Sequence, residues 1–167
     1  MMCTSQPPKA DRSLPPVQSR SFTDLVFDEL TLFESVSEQY QHLGMRVQGA
    51  IAIHPSNSAF QPPVDAIALM PEAGNVPIEI TFERPVWRIV AIVNGARQIR
   101  MTGFDRHSNV VAHERTEPRL QHSAELPTGG ETIAAFPWHT LAIEMEGLSR
   151  IVFSSDAPFL LQSLSYS

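Results

Sequence analysis

The spacing of hydrophobic residues changes rhythm along this chain, and each rhythm predicts an element. Between Thr31 and Gly44 the residues Leu32, Phe33, Val36, Tyr40 and Leu43 recur at helical spacing, and Gly44 follows as a stop signal. That predicts one short amphipathic helix whose apolar stripe packs on a core. Beyond Gly44 the period drops to two. Met45, Val47, Gly49, Ile51 and Ile53 alternate with Arg46, Gln48, Ala50, Ala52 and His54. Ile78, Ile80 and Phe82 alternate with Glu79, Thr81 and Glu83, and Leu141, Ile143 and Met145 with Ala142, Glu144 and Glu146. Each run predicts a half-buried strand.

The run Val86 to Val93 is apolar on both faces and predicts a central strand. Pro85 separates it from Phe82, because proline cannot donate to a ladder. Leu25 to Leu30 predicts a first strand. Further strands are expected at Arg97 to Phe104, Asn109 to Glu114, Leu148 to Ser154 and Phe159 to Tyr166. Asn94-Gly95, Asp105 to Asn109 and Gly129-Gly130 are turn signals between them. Many short strands punctuated by turns indicate an antiparallel sandwich or barrel.

Composition narrows this picture. A chain of 167 residues, 43% of them hydrophobic, supports one ordinary domain. Residues 1–20 hold Pro7-Pro8 and Pro15-Pro16 among Ser and Gln, and read as a flexible arm before a β-sandwich domain at 21–167. The net charge of −6 argues against a nucleic-acid binder. Cys3 is the sole cysteine, so the chain forms no internal disulfide and no CxxC metal knuckle. No apolar run is long enough to span a membrane, and residues 1–20 contain no apolar signal core. The expectation is a cytoplasmic protein, or an extracellular one if a leader is missing from the sequence as given.

The order of these segments resembles a known family. "FDEL" at Phe27 to Leu30 is followed by "QYQHLGMRVQGA" at Gln39 to Ala50 and "IEITFERPVWRIVAIV" at Ile78 to Val93. "MTGFDRHSNVV" at Met101 to Val111 and "RIVFSSDAPFLLQSLSYS" at Arg150 to Ser167 complete it. This series is similar to the bacterial galactose-binding-like jelly-roll modules, the fold of many carbohydrate-binding modules. The resemblance implies an all-β, antiparallel jelly-roll β-sandwich, commonly non-catalytic, that binds carbohydrate through end loops or one concave face. It also implies a structural calcium in some members. Asp28 and Glu29 match the acidic opening positions, whereas Gln162 stands where the closing strand usually has an aspartate.

No catalytic constellation stands out. His113-Glu114 lacks the second histidine of H-E-x-x-H, and His107, His122 and His139 fall at no metal-ligand spacing. Asp28 and Glu29, adjacent in a strand, would face opposite ways. Glu144 and Glu146 share a face with the pattern of a solvated strand, and no G-x-S-x-G elbow occurs. Arg84, Arg88, Arg97, Arg100, Arg106, Arg115 and Arg119 crowd one stretch of chain around Trp87. Trp87 and Trp138 each fit a core position at a sheet end; exposed, each would be a sugar platform. Ser56, Asn57, Ser58 and Gln61 around Phe60 suit turn stabilisation or a ligand loop.

Two functional readings follow. One is a non-catalytic module that recognises a glycan or other polar surface through Asn57, Phe60, Trp87, Arg88 and Trp138, without a cofactor unless Asp28 and Glu29 hold calcium. The other is a structural or assembly protein whose sandwich docks on a partner protein or particle.

Overall fold

A computed structural model describes residues 21–60, 66–74, 76–117 and 135–167. The expected arm at 1–20, with Cys3, lies outside these residues, as do Gln61, Arg119, His122 and Gly129-Gly130. Among the described residues the chain forms ten strands. They are β1 (Thr23–Leu25), β2 (Ser35–Val36), β3 (Met45–Gln48), β4 (Ala50–Ile53) and β5 (Ala68–Pro71). There follow β6 (Ile78–Gly95), β7 (Ile99–Phe104), β8 (Val110–Arg115), β9 (Trp138–Ser155) and β10 (Phe159–Tyr166). Every pairing is antiparallel. The expected all-β, antiparallel jelly-roll sandwich is what the chain builds.

The two layers are one sheet folded on itself. The first half of β6 pairs with β3 and with the second half of β9, through Ile80↔Val47 and Ile80↔Ile151. The second half of β6 pairs with β10 and the first half of β9, through Ala91↔Leu164 and Ala91↔Leu141. One layer therefore runs β2-β4-β5-β10-β6-β9, with β1 also on β10; the other runs β3-β6-β9-β7-β8. Ile78, Ile80, Ile89, Val93, Met101, Leu141, Leu148, Ile151, Phe153 and Phe159 are fully buried between the layers. Burial of such side chains contributes about 1.5–3 kcal/mol each.

Both long strands bend at the same level. The β6–β9 register shifts between Thr81 and Val86, where Pro85 has no N–H to give, and β9 turns at Gly147 with φ 82. Pro85 thus interrupts the ladder as expected, but the chain stays extended through it. The runs around Leu141 and Leu148 are likewise one strand, not two.

The segment Met45 to Ile53 departs from a single alternating strand. Gly49 takes φ 73 and carries the chain from one layer to the other. This moves the parity by one: Met45 and Val47 are buried, then Ala50 and Ala52, while Ile51 and Ile53 are half-exposed. The expected outward face of Val86 to Val93 is also only partly covered, with Ile92 exposed.

The expected helix is reduced to a 3-10 turn at Gln41–Leu43. Its backbone finds non-local partners instead: Phe33 N–H donates to Ala52 O at 2.7 Å, and Ala52 N–H to Glu34 O at 3.1 Å. Phe33, at φ 65 and 76% exposed, breaks any helical path. The first strand also ends early, at Leu25. Phe27 to Leu30 form a turn closed by Leu30 N–H on Phe27 O, so Asp28 and Glu29 are exposed turn residues rather than strand residues. Tyr40 anchors this region: its buried hydroxyl donates to Val26 O at 2.8 Å. Burial, then the nearby Glu29, Glu34 and Asp28, push its phenol well above the ordinary tyrosine range.

Two predictions follow from these features. An alanine Cβ at Gly49 would sit 2.3 Å from Pro77 O, whereas one at Gly147 meets nothing within 4 Å. In urea unfolding, Gly147→Ala should cost about 1 kcal/mol of left-handed strain and Gly49→Ala about 3 kcal/mol or more. Tyr40 has a raised folded pKa, so its stabilising contribution is complete below the unfolded tyrosine value of about 10 and lost as pH rises beyond it. The wild type should lose stability above about pH 10 by more than Tyr40→Phe does, the variant being about 1 kcal/mol weaker at neutral pH.

Candidate functional site

The bend of β6 and β9 opens one end of the sandwich. Pro85 and Val86 form a ridge there between two adjoining cavities. The first, about 390 Å³, is lined by Gln41, His42, Glu83, Arg84, Phe82 and Tyr166 among others. The second, about 410 Å³, is lined by Trp87, Glu146, Gly147 and Ser167 beside the ridge.

Local chemistry fixes the walls. Gly44 adopts the left-handed region at φ 72 and closes the 3-10 turn, and its carbonyl accepts from Glu83 N–H at 2.8 Å. That bond ties the turn to β6. Tyr166 O–H donates to Leu43 O at 3.3 Å, and its ring packs on Phe82 with centroids 5.4 Å apart. His42 Nδ1 lies 3.0 Å from Gln39 O. A carbonyl can only accept, so in the neutral ring Nδ1 carries the proton and Nε2 is left as an acceptor. Across the ridge, Ser167 O accepts from Trp87 N–H at 2.8 Å and Arg88 N–H at 3.3 Å, while Ser167 N–H donates to Arg88 O at 3.1 Å. Trp87 is held half-buried at the floor's edge. Glu83, Arg84, His42 and Glu146 are exposed around it. The trough thus mixes aromatic faces with charged and neutral hydrogen-bonding groups, a lining suited to a polar ligand with apolar patches.

The five ligand residues expected from the sequence fall into separate places. Trp87 lines the trough. Arg88, its neighbour, is engaged instead: Nε lies 2.9 Å from Glu144 Oε1, at an angle outside hydrogen-bond geometry, and the guanidinium sits 5.1 Å from the Phe22 ring centroid. Asn57, Phe60 and Trp138 gather at the other end of β6, around Asn94. Asn94 lies seven positions further along the strand than Trp87, roughly 23 Å. Asn94 is fully buried opposite Trp138 in the β6–β9 ladder. Its amide donates to Phe60 O at 3.2 Å and Phe136 O at 2.9 Å. The Phe60 and Phe136 rings meet edge to face at 5.0 Å. Asn57 accepts from Ala59 N–H at 2.9 Å, which stabilises the turn.

Asp28 and Glu29 remain at the exposed turn. Among the described residues no three His, Cys, Asp or Glu side chains converge on one point. Calcium takes six to eight oxygens, so an ion held by these two carboxylates would need further ligands from carbonyl oxygens or water.

No family model matches the sequence, and no curated protein matches it. Solved structures do, and several are carbohydrate-binding modules. A family 29 carbohydrate-binding module is 10% identical with a TM-score of 0.48, covering 89% of this chain and 92% of that one. The family 29 module CBM29_1 of Piromyces equi is 10% identical with a TM-score of 0.40 over 88% and 91%. The K1 cleaved adhesin domain of Lys-gingipain from Porphyromonas gingivalis W83 is 9% identical with a TM-score of 0.46 over 89% and 98%. At such identities and TM-scores these structures say nothing of what this chain binds.

The sequence points to Trp87 and to the arginine group that includes Arg84, but not to Gln41, His42, Glu83, Glu146 or Tyr166 as site residues. Its available signal was a proline inside one alternating run and a glycine between two others, which marks a bend. Asn94, half of the predicted Asn94-Gly95 turn, ties two loops together. Asn94→Ala should cost about 1–3 kcal/mol. Hydrogen exchange should quicken most at Phe136, whose N–H donates to Ala59 O at 2.7 Å. Unchanged exchange there would mean that the two loops are held by something else.

Proposed function

We propose that this chain is a non-catalytic binding module that takes a glycan in the trough at the bend of β6 and β9. The observation that carries the reading is the pair of adjoining cavities, with Trp87 and Tyr166 on their walls and Glu83, Arg84, Gln41, His42 and Glu146 around them. A pyranose has an apolar face that an aromatic ring can cover and a rim of hydroxyls that donate and accept. Carboxylates and the free Nε2 of neutral His42 accept from such hydroxyls, and guanidinium and amide N–H groups donate to them. Each cavity lies in the lower part of the volume range of small-molecule sites, which suits a short stretch of glycan. Arg88 supports the site from behind through its backbone bonds with Ser167 rather than by touching the ligand.

A glycan array probed with wild type, Trp87→Ala and Trp138→Ala tests this. Trp87→Ala should weaken binding at least about tenfold, or roughly 1.4 kcal/mol, while Trp138→Ala stays within about twofold. Absence of binding to any glycan by the wild type would sink the proposal. Loss in Trp138→Ala alone would move the ligand to the Asn94 end of the molecule.

A further inference from the structure

The outer face of the β3-β6-β9-β7-β8 layer carries a different chemistry. Antiparallel register sets its residues in rows, because alternate side chains along each strand point outward. One row runs Arg46, Thr81, Arg150 and Phe104 across β3, β6, β9 and β7. The next runs Gln48, Glu79, Val152, Thr102 and His113, from β3 to β8. The third joins Ser154, Arg100 and Arg115. Four arginines and a histidine therefore share a face on which Glu79 is the sole acid in these rows. This is set against a chain with 18 acidic and 12 basic residues.

The arginines are largely uncommitted. Arg150 donates to Glu79 Oε2 at 3.1 Å, and its guanidinium lies 4.2 Å from the Phe104 ring centroid. Arg46, Arg100 and Arg115 are exposed, and among the described residues they form no ion pair. Arg100 and Arg115 are direct cross-strand partners. Like charges placed so repel each other, which folding alone does not favour. Beside them an open cavity of about 330 Å³ is lined by Gln98, Arg100, Ser154, Ser155 and Asp156, so one carboxylate stands at its rim. Gln98 is held there by its amide bond to Thr116 O at 3.0 Å.

We propose that this face binds an acidic polysaccharide, whose repeated carboxylate or sulfate groups lie across Arg46, Arg150, Arg100 and Arg115. The planar guanidinium fork matches both groups in a bidentate manner. From β3 to β8 the face spans four strand spacings, roughly 19 Å, which is too wide for one small anion and suits a chain of regularly placed charges. A nucleic acid fits less well. Phe104 is half-buried beneath Arg150, so the face offers no open stacking platform for bases. Glu79 and Thr81 are followed on the same face by the exposed Glu83, which lines the trough, so the two surfaces adjoin; the ligand of this face does not require the trough.

Titration calorimetry of the full chain at low salt tests the proposal. The probes are polygalacturonate for carboxylate, dextran sulfate for sulfate, neutral dextran as a control and a single-stranded oligonucleotide. Binding to at least one acidic polysaccharide, none to dextran, and steep weakening with salt are expected. Arg100→Gln with Arg115→Gln should weaken that binding at least about tenfold and flatten its salt dependence. The same double variant should melt no lower than wild type, since it removes a like-charge pair, so lost binding cannot be put down to unfolding. Trp87→Ala should leave this binding intact, which separates it from the glycan reading of the trough. Failure of both acidic polysaccharides to bind, or equal binding by the double variant, would overturn the proposal. So would tighter binding of the oligonucleotide than of either polysaccharide.

Discussion

Everything in this molecule depends on two strands that refuse to stop at the edge of a layer. β6 and β9, 18 residues each, run through both halves of the sandwich and pair with each other on either side of a shared bend. Most sandwiches join their layers through loops. Here the hydrogen-bonded backbone itself crosses over. Pro85 and Gly147 make this feasible, one by lacking a donor where the ladder must open and the other by adopting a backbone geometry that a side chain would strain. Gly49 performs a third crossing between β3 and β4, in a space so tight that Pro77 O leaves no room for a Cβ.

The positions of both candidate surfaces follow from that arrangement. At the bend the ladder of the two strands shifts register, and the space beside it is walled by the 3-10 turn, Tyr166 and Ser167. On one side of the bend, starting at Thr81 and Arg150, the outward rows of the same strands bring together side chains from β3 to β8. The trough is recessed and chemically mixed; the outer face is open and rich in guanidinium. One pair of strands thus supports two surfaces of opposite character.

The strand pattern was readable wherever burial alone decides it. Ile78, Ile80 and Phe82 turn inward as their alternation requires, and β10 occupies the span Phe159 to Tyr166 that the sequence suggested. Misreadings arose where a distant segment or a single backbone angle decides. The spacing of Leu32, Phe33 and Val36 is helical, but β4 offers their backbone a better set of partners, and no local pattern reveals that. Gly49 reverses the parity of Ala50 and Ile51, so the bulkier side chain faces out. The candidate sites were less legible still. Trp87 is visible as an aromatic among arginines, but only tertiary pairing brings His42, Glu83 and Tyr166 to the adjoining cavity. The arginine-rich stretch was noticed as well, yet Arg46 and Arg150 join Arg100 and Arg115 only through strand register.

The shared backbone of the two layers has a mechanical consequence. Layers connected by loops can slide over each other, because side-chain packing alone resists shear. Sliding these layers would require distorting two continuous strands at once, at Pro85 and at Gly147. The opening at the bend is therefore stiff by construction. A ligand entering it would meet a backbone already fixed during folding, and the entropy lost on binding would fall on exposed side chains such as Glu83, Arg84 and Glu146.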